Sequence, residues 1–315
     1  YVNNLDDEEI LKLSLENKID IAIYRAGLTI NARSSIFSKK IAPIQVNFLG
    51  YQGTTGQEGI DYIIADEYVI PENQENFYTE NIIYLPGSYF PRDNNRKIGK
   101  KKFTKKDLKI SENSFVFCNF NNSYKITLEE FEIWMKLLQK INNSILLLLE
   151  TNNEMKKNLY FEAEKFKINK DRIMFIKKTI FEDHLSRHSL GDLFLDTFNY
   201  NAHTTAVDAL WTGLPIITKP GNSFSSRVCG SLLKFFDLDE LILKNKDEYY
   251  NKALELAENP HKLKAIKNKI VKHKDSNKYF DPKNYTLNLE KAYKKIHSMR
   301  VNENKFENIH IKDIE

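Results

Sequence analysis

Leu193-Phe194-Leu195-Asp196-Thr197-Phe198-Asn199-Tyr200-Asn201-Ala202-His203-Thr204-Thr205 is the stretch on which the reading of the fold turns. Leu193 to Leu195 form a short apolar run of strand character. From His203 a helical segment runs to Trp211, and Gly213 and Pro215 are placed to stop it. A strand that feeds straight into a helix is half of a βαβ unit. Working outward, strands are expected at 115–120, 145–149, 173–176 and 216–218. Helices are expected at 153–168, at 181–190 and from 223. Another should open at Thr127-x-x-Glu130, a capping-box pattern, with Leu128, Phe131, Trp134, Met135, Leu138 and Ile141 on one face. Such alternation predicts a parallel sheet covered by helices. Residues 247–300 read as three helices without a strand.

Toward the N-terminus the pattern is weaker. Short apolar runs at 21–24, 44–49, 62–65 and 82–85 read as buried strands, preceded by a helix at 5–18. Between the two halves, residues 92–109 hold nine Lys or Arg and two Asp, with few apolar residues. They read as an exposed linker. The expected organisation is a partial first lobe over 1–100, a basic linker over 101–112, a second lobe over 113–300 and a polar tail over 301–315.

The chain has 315 residues, enough for two domains and a sizeable core. A content of 41% hydrophobic and 29% charged residues excludes wholesale disorder and a collagen-like repeat. The net charge of +4 would ordinarily point to an acidic partner. The 92–109 segment alone carries +7, so the remainder is about −3. The excess is local, and neither nucleic acid nor membrane is expected as a partner. No apolar run reaches the roughly 18–20 residues that span a bilayer. Cys118 and Cys229 cannot make a disulfide framework, which favours a reducing compartment, the cytoplasm.

In open α/β sheets ligands sit beyond the carboxyl ends of strands. His203, Thr204 and Thr205 start a helix at such an end, where free N–H groups and the positive dipole end favour an anion. Asp208 lies one turn further along the same face. These residues also fit a plain Thr-rich cap. Lys125 ends the loop Asn119-Phe120-Asn121-Asn122-Ser123-Tyr124-Lys125 after another strand, where it can reach a phosphate as a point charge. Alone it is equally an ordinary surface lysine. His184 and Arg187 lie one turn apart on their helix. Leu49-Gly50-Tyr51-Gln52-Gly53-Thr54-Thr55-Gly56 follows a first-lobe strand, and its glycines allow close backbone approach. It matches neither the Walker A nor the dinucleotide fingerprint. No Cys/His spacing suits a metal. All seven histidines fall at or after His184, so the first lobe is expected to have none and to lack an obvious base.

The order of these blocks resembles the catalytic region of the O-linked N-acetylglucosamine transferases, family 41 of the glycosyltransferases. Four blocks carry the likeness: Ala42-Pro43-Ile44-Gln45-Val46 through Gly56 and Asp61 to Asp66; Cys118 to Asn121 with Tyr124-Lys125-Ile126; Leu195 to Asp208; and Leu210-Trp211-Thr212-Gly213-Leu214-Pro215 with Pro220-Gly221 and Ser226-Arg227-Val228. The resemblance covers about residues 20–300. It implies a GT-B type α/β fold: two Rossmann-like lobes with a nucleotide-sugar in the cleft. The first lobe would be truncated at Tyr1, and the rest of that lobe and tetratricopeptide repeats would lie upstream.

By matching positions, the resemblance places Lys125 on the diphosphate as the catalytic charge. His203, Thr204 and Thr205 would cradle phosphates, and Asp208 would hold the ribose. His184 would lie against the base with Arg187 on the same wall. Leu49, Gly50 and Thr54 would line the sugar side. The implied reaction is inverting transfer of GlcNAc from UDP-GlcNAc to Ser or Thr hydroxyls of an acceptor protein or peptide. No metal or other cofactor is expected, because Lys125, two hydroxyls and a helix dipole can stabilise the leaving diphosphate. The isolated segment is expected to bind nucleotide weakly and turn over poorly. Leu28 stands where bacterial relatives usually carry His, and Phe181 stands near a position that carries Lys in the animal enzymes. Alternatives are a related enzyme with GDP-fucose or a UDP-hexose as donor, and a non-catalytic nucleotide-binding fragment.

Overall fold

The computed structural model describes residues 1–276 and 278–313. The chain divides into two units. One contains Tyr1–Pro91, Ser223–Ser225 and the described residues from Pro282 onward; the other contains Arg92–Asn222 and Ser226–Asp281.

The first unit opens with α1 (Asp7–Glu16), whose N-terminus is closed by a capping box between Asp6 and Glu9. It continues through β1 (Ile21–Tyr24), the short α2 (Ser34–Ser38), β2 (Ile44–Asn47), β3 (Tyr62–Ala65) and β4 (Asn81–Tyr84). β2 and β3 are buried along their whole length. β3 reads accordingly as a near-continuous apolar run, whereas in β2 the buried Gln45 and Asn47 are paired with the Phe37, Gly59 and Gly53 carbonyls.

The second unit alternates strictly. β5 (Phe115–Asn119), α3 (Leu128–Lys140), β6 (Ser144–Leu149), α4 (Asn153–Lys165), β7 (Ile173–Ile176), α5 (Phe181–Ser186), β8 (Leu193–Leu195), α6 (Thr204–Thr212) and β9 (Ile216–Ile217) follow one another, and α7 (Val228–Phe235), α8 (Lys246–Glu258) and α9 (Pro260–Asp275) complete it. The sheet is wholly parallel with strand order β7-β6-β5-β8-β9. The order reverses between β5 and β8, and this switch point is where a doubly wound sheet opens a crevice at its strand ends.

The Thr127–Glu130 capping box forms as expected, and Phe131, Trp134, Met135 and Leu138 are buried. Leu128, expected on that face, is the first residue of α3 and is 59% exposed. Gly213 ends α6 in the left-handed conformation (φ 80°) that glycine adopts without steric cost. The expected helix at 181–190 stops at Ser186 and tightens into a 3₁₀ turn, and the one expected from 223 starts at Val228.

After α9 the chain returns to the first unit as α10 (Pro282–Glu303) and β10 (Ile309–His310). β10 pairs in parallel with β4, matching Ile309 to Ile83 and His310 to Tyr84. The first sheet thus runs β1-β2-β3-β4-β10. This corrects the expected boundaries. Residues from 282 to 300 belong to the first unit, and the supposed polar tail supplies one of its strands. The apolar stripe of Ala292, Ile296 and Met299 on α10 and the open edge of β4 are the physical reasons. The first unit therefore does contain histidines. His297 lies 3.7 Å from Asp20, and His310 stacks on Tyr84 at 4.5 Å with Nδ1 3.2 Å from Glu67.

The basic segment is likewise not a free linker. Residues 92–109 belong to the second unit, and Arg92 is buried there, its Nε donating to the Tyr279 carbonyl at 2.9 Å beneath the Phe235 ring. Among the described residues no helix is long and apolar enough to cross a membrane.

Ile309 is buried on an edge strand only two residues long. Ile309→Ala should destabilise the first unit by about 2–4 kcal/mol through the cavity it leaves. Urea unfolding followed by Tyr84 hydrogen exchange reads this directly.

Candidate functional site

β5 and β8 deliver two loops to the switch point, and side chains lock those loops together. Asn119 Nδ2 donates to the Leu195 carbonyl at 2.7 Å. Asn121 Nδ2 donates to Thr197 Oγ1 at 3.0 Å, and its Oδ1 accepts from Thr205 Oγ1. Asp196 is fully buried. Its Oδ1 accepts from Thr197 N–H at 2.8 Å and Ala202 N–H at 2.7 Å, and its Oδ2 accepts from Thr218 Oγ1 at 2.7 Å. This draws 196–202 into a tight loop and sets the start of α6. Burial pushes the Asp196 carboxyl pKa up, against those hydrogen bonds and the Lys125 charge.

Lys125 reaches across this loop. Its Nζ donates to the Asn201 carbonyl at 2.9 Å and lies 3.8 Å above the centre of the Tyr200 ring. Burial lowers its pKa from 10.5 to about 8. His203, buried, is the N-cap residue of α6 and stacks on Tyr200 at 4.6 Å, and its side chain makes no cap bond. Thr204 is exposed and Thr205 half-buried. The predicted residues Lys125, His203, Thr204 and Thr205 are therefore gathered around one helix N-terminus, an arrangement of donors suited to an anion.

A second group lies along α5 and α6. The buried Asp208 carboxylate forms an ion pair with Arg96, and its Oδ2 stands 3.7 Å from His184 Nε2. Arg187, also buried, donates from Nη2 to His184 Nδ1 at 2.6 Å and from Nη1 to the Lys177 carbonyl. A guanidinium only donates, so His184 Nδ1 is the acceptor and the ring proton sits on Nε2, toward Asp208. Burial lowers the Arg187 pKa to about 10. Arg187 is thus a brace behind His184 rather than part of an open wall. Behind both, His188 is buried and held neutral, its pKa pushed down to about 3 by desolvation.

In the first unit, Leu49 adopts a left-handed backbone (φ 79°), rare for a branched side chain. At Gly50 an added Cβ would lie 1.8 Å from the Arg25 carbonyl oxygen, so only glycine fits. Thr54 Oγ1 donates to the buried Glu80 carboxylate at 2.6 Å, and Thr55 donates to it from N–H at 2.8 Å and Oγ1 at 2.7 Å. The Gly-rich loop is therefore pre-shaped.

Sequence reasoning missed Arg96, Tyr200 and Glu80. Arg96 was hidden in a run of lysines, and Glu80 had no motif around it. Tyr200 had a signal, since it lies three residues before the candidate His203 in the decisive stretch. Among the described residues no group of three or more His, Cys, Asp or Glu could hold a metal ion.

Two parallel α/β units, the second with a helix N-terminus at its switch point, are the components of the GT-B class of glycosyltransferases. Within that class the chain belongs to glycosyl transferase family 41, whose profile matches residues 12–106 and 99–289. It is 35% identical over 303 residues to the probable UDP-N-acetylglucosamine–peptide N-acetylglucosaminyltransferase SEC of Arabidopsis thaliana, covering 94% of this chain and 31% of that protein. It is 28% identical over 298 residues to the similarly named SPINDLY of Solanum lycopersicum, covering 93% and 32%. The chain thus spans about a third of the length of these curated relatives. Among solved structures, the K341M mutant of Thermobaculum terrenum O-GlcNAc transferase superposes with a TM-score of 0.83 at 26% identity, covering 93% of this chain and 56% of that one. A sucrose-phosphate synthase from Thermosynechococcus elongatus shares the fold at 10% identity, with a TM-score of 0.64.

Arg96 and Asp208 are both withdrawn from water, so removing one partner leaves a buried charge uncompensated. Arg96→Ala should cost about 3–5 kcal/mol of stability. The double variant Arg96→Ala with Asp208→Asn should recover most of that loss in the same urea titration.

Proposed function

We propose that the chain is the donor-binding part of an inverting protein glycosyltransferase that moves GlcNAc from UDP-GlcNAc to Ser or Thr hydroxyls of a protein or peptide. The observation that carries this reading is the Lys125 ammonium, half-buried and facing the same helix start as His203, Thr204 and Thr205. The names of the relatives point the same way, and identity is higher to SEC than to SPINDLY. The two free, buried cysteines fit a reducing compartment such as the cytoplasm.

In this mechanism the α6 N–H groups, the Thr204 hydroxyl and Lys125 bind the donor diphosphate, while the Thr205 hydroxyl, donating to Asn121 Oδ1, holds the helix start in place for it. As the anomeric bond lengthens, negative charge grows on the leaving phosphate, and donors already in place stabilise it without reorganisation. Lys125 does this as a point charge in a partly dry site, where it counts for more than in water. A resident metal is not required by this chemistry. Asp208 would accept from the ribose. Its Oδ1 is engaged by Arg96, so the ribose would approach Oδ2, beside His184, which lies against the base and is held by Arg187. Leu49, Gly50 and Thr54 would shape the sugar side of their own loop. The acceptor hydroxyl proton passes to a donor phosphate oxygen or a nearby side chain.

Calorimetry tests this. UDP should bind more tightly than GDP, and equally in EDTA and in Mg²⁺. Preferential GDP binding would sink the UDP reading. Lys125→Ala should weaken UDP by about 1.5–3 kcal/mol, the loss of a charge-assisted hydrogen bond.

The diphosphate favours protonated Lys125, whose free-state pKa is about 8. UDP affinity should therefore be full below that pH and fall as pH rises through it. Lys125→Ala should abolish this dependence.

A further inference from the structure

Tyr200 has no role in the donor contacts argued above, yet it touches two of their members. Its ring stacks on the His203 imidazole at 4.6 Å with a 27° tilt, and the Lys125 ammonium stands 3.8 Å over its centre. Tyr124 closes one edge at 6.4 Å. Among the described residues no carboxylate lies within ion-pair distance of Lys125. The nearest charged partner, Asp196, is already saturated by Thr197, Ala202 and Thr218. The ammonium is left with one carbonyl and one aromatic face. Neither neutralises it, and together they fix its direction. A lysine on a flexible four-carbon stem otherwise loses rotamer entropy when it meets a ligand.

We propose, building on the nucleotide-sugar reading, that Tyr200 is a positioning residue for diphosphate recognition: its ring holds the Lys125 ammonium and the His203 imidazole in fixed register at the start of α6. The ring's π face stabilises the ammonium against the desolvation that burial imposes, an effect that is strongest in a dry site. An arriving diphosphate then meets aligned donors. The groups facing Lys125 are Asp196, Tyr200 and the Asn201 carbonyl from the loop after β8 and Cys229 from α7, while His203 and Tyr124 pack on the Tyr200 ring. Of these, Tyr200 offers the π face closest to the charge.

The test uses Tyr200→Phe, which keeps the face, and Tyr200→Leu, which removes it, with Tyr200→Met in reserve should the leucine variant lose its circular dichroism signature. In the ligand-free protein, NMR titration of Lys125 should give the same midpoint for wild type and Tyr200→Phe. The midpoint should fall by about one pH unit in Tyr200→Leu. Calorimetry with UDP and with inorganic pyrophosphate should show Tyr200→Phe within twofold of wild type. Tyr200→Leu should be at least tenfold weaker, with its pH profile displaced downward to match. If Tyr200→Leu leaves both the Lys125 midpoint and pyrophosphate affinity unchanged, the role of Tyr200 is overturned and the nucleotide reading stands. If wild type binds neither UDP, GDP nor pyrophosphate, the nucleotide reading falls and the proposal with it, whatever the titration shows.

Discussion

The buried carboxylate of Asp196 is the constraint on which the second unit's site depends. It lies at the end of β8, without access to water, and must find all its partners within the protein. It finds them in the turn before α6, in Thr218 just after β9, and in Asn121 beyond β5. One side chain therefore holds three strand ends and the start of a helix in register. Donors at the helix start and Lys125 across the loop inherit their positions from it. Such a network is costly if half satisfied and specific when complete.

Arg96 plays a comparable part further along α6. Its pairing with Asp208 changes the meaning of the basic segment. The exposed lysines of 92–109 account for most of its charge, while of its two arginines Arg92 is buried and Arg96 half-buried, and both are structural elements. Trp211 Nε1 donates to the Arg96 carbonyl at 3.0 Å, and Gly99 N–H to the Glu182 carbonyl at 2.9 Å, so the segment is stitched to α5 and α6. A guanidinium forms directed, planar contacts that an ammonium cannot, which is why the arginines and not the lysines are internal.

Much of the second unit could be read along the chain. Strand and helix alternate there with clear periodicity, and Thr127, Glu130 and Gly213 mark boundaries by chemistry that acts over three or four residues. The grouping of hydroxyls at a helix start was legible for the same reason: strand end, hydroxyls and helix start are contiguous between Leu193 and Thr205. Glu80 and Arg96 were not legible, because their partners Thr54, Thr55 and Asp208 lie 25 to 112 residues away. Arg187 was placed on a wall by resemblance, and spacing alone could not correct this, because it gives the helix face and not the burial.

The sequence by itself determined the class of the fold, the parallel arrangement of the second sheet and the family to which the chain belongs, since each rests on local patterns repeated in order. Only the tertiary structure decided that the last described residues complete the first unit's sheet, that Asp208 carries an arginine, and that Tyr200 lies under Lys125. A two-residue strand such as β10 has no periodicity to read. It exists because the edge of β4 has unpaired backbone groups to satisfy, and that condition arises only once the rest of the sheet has formed.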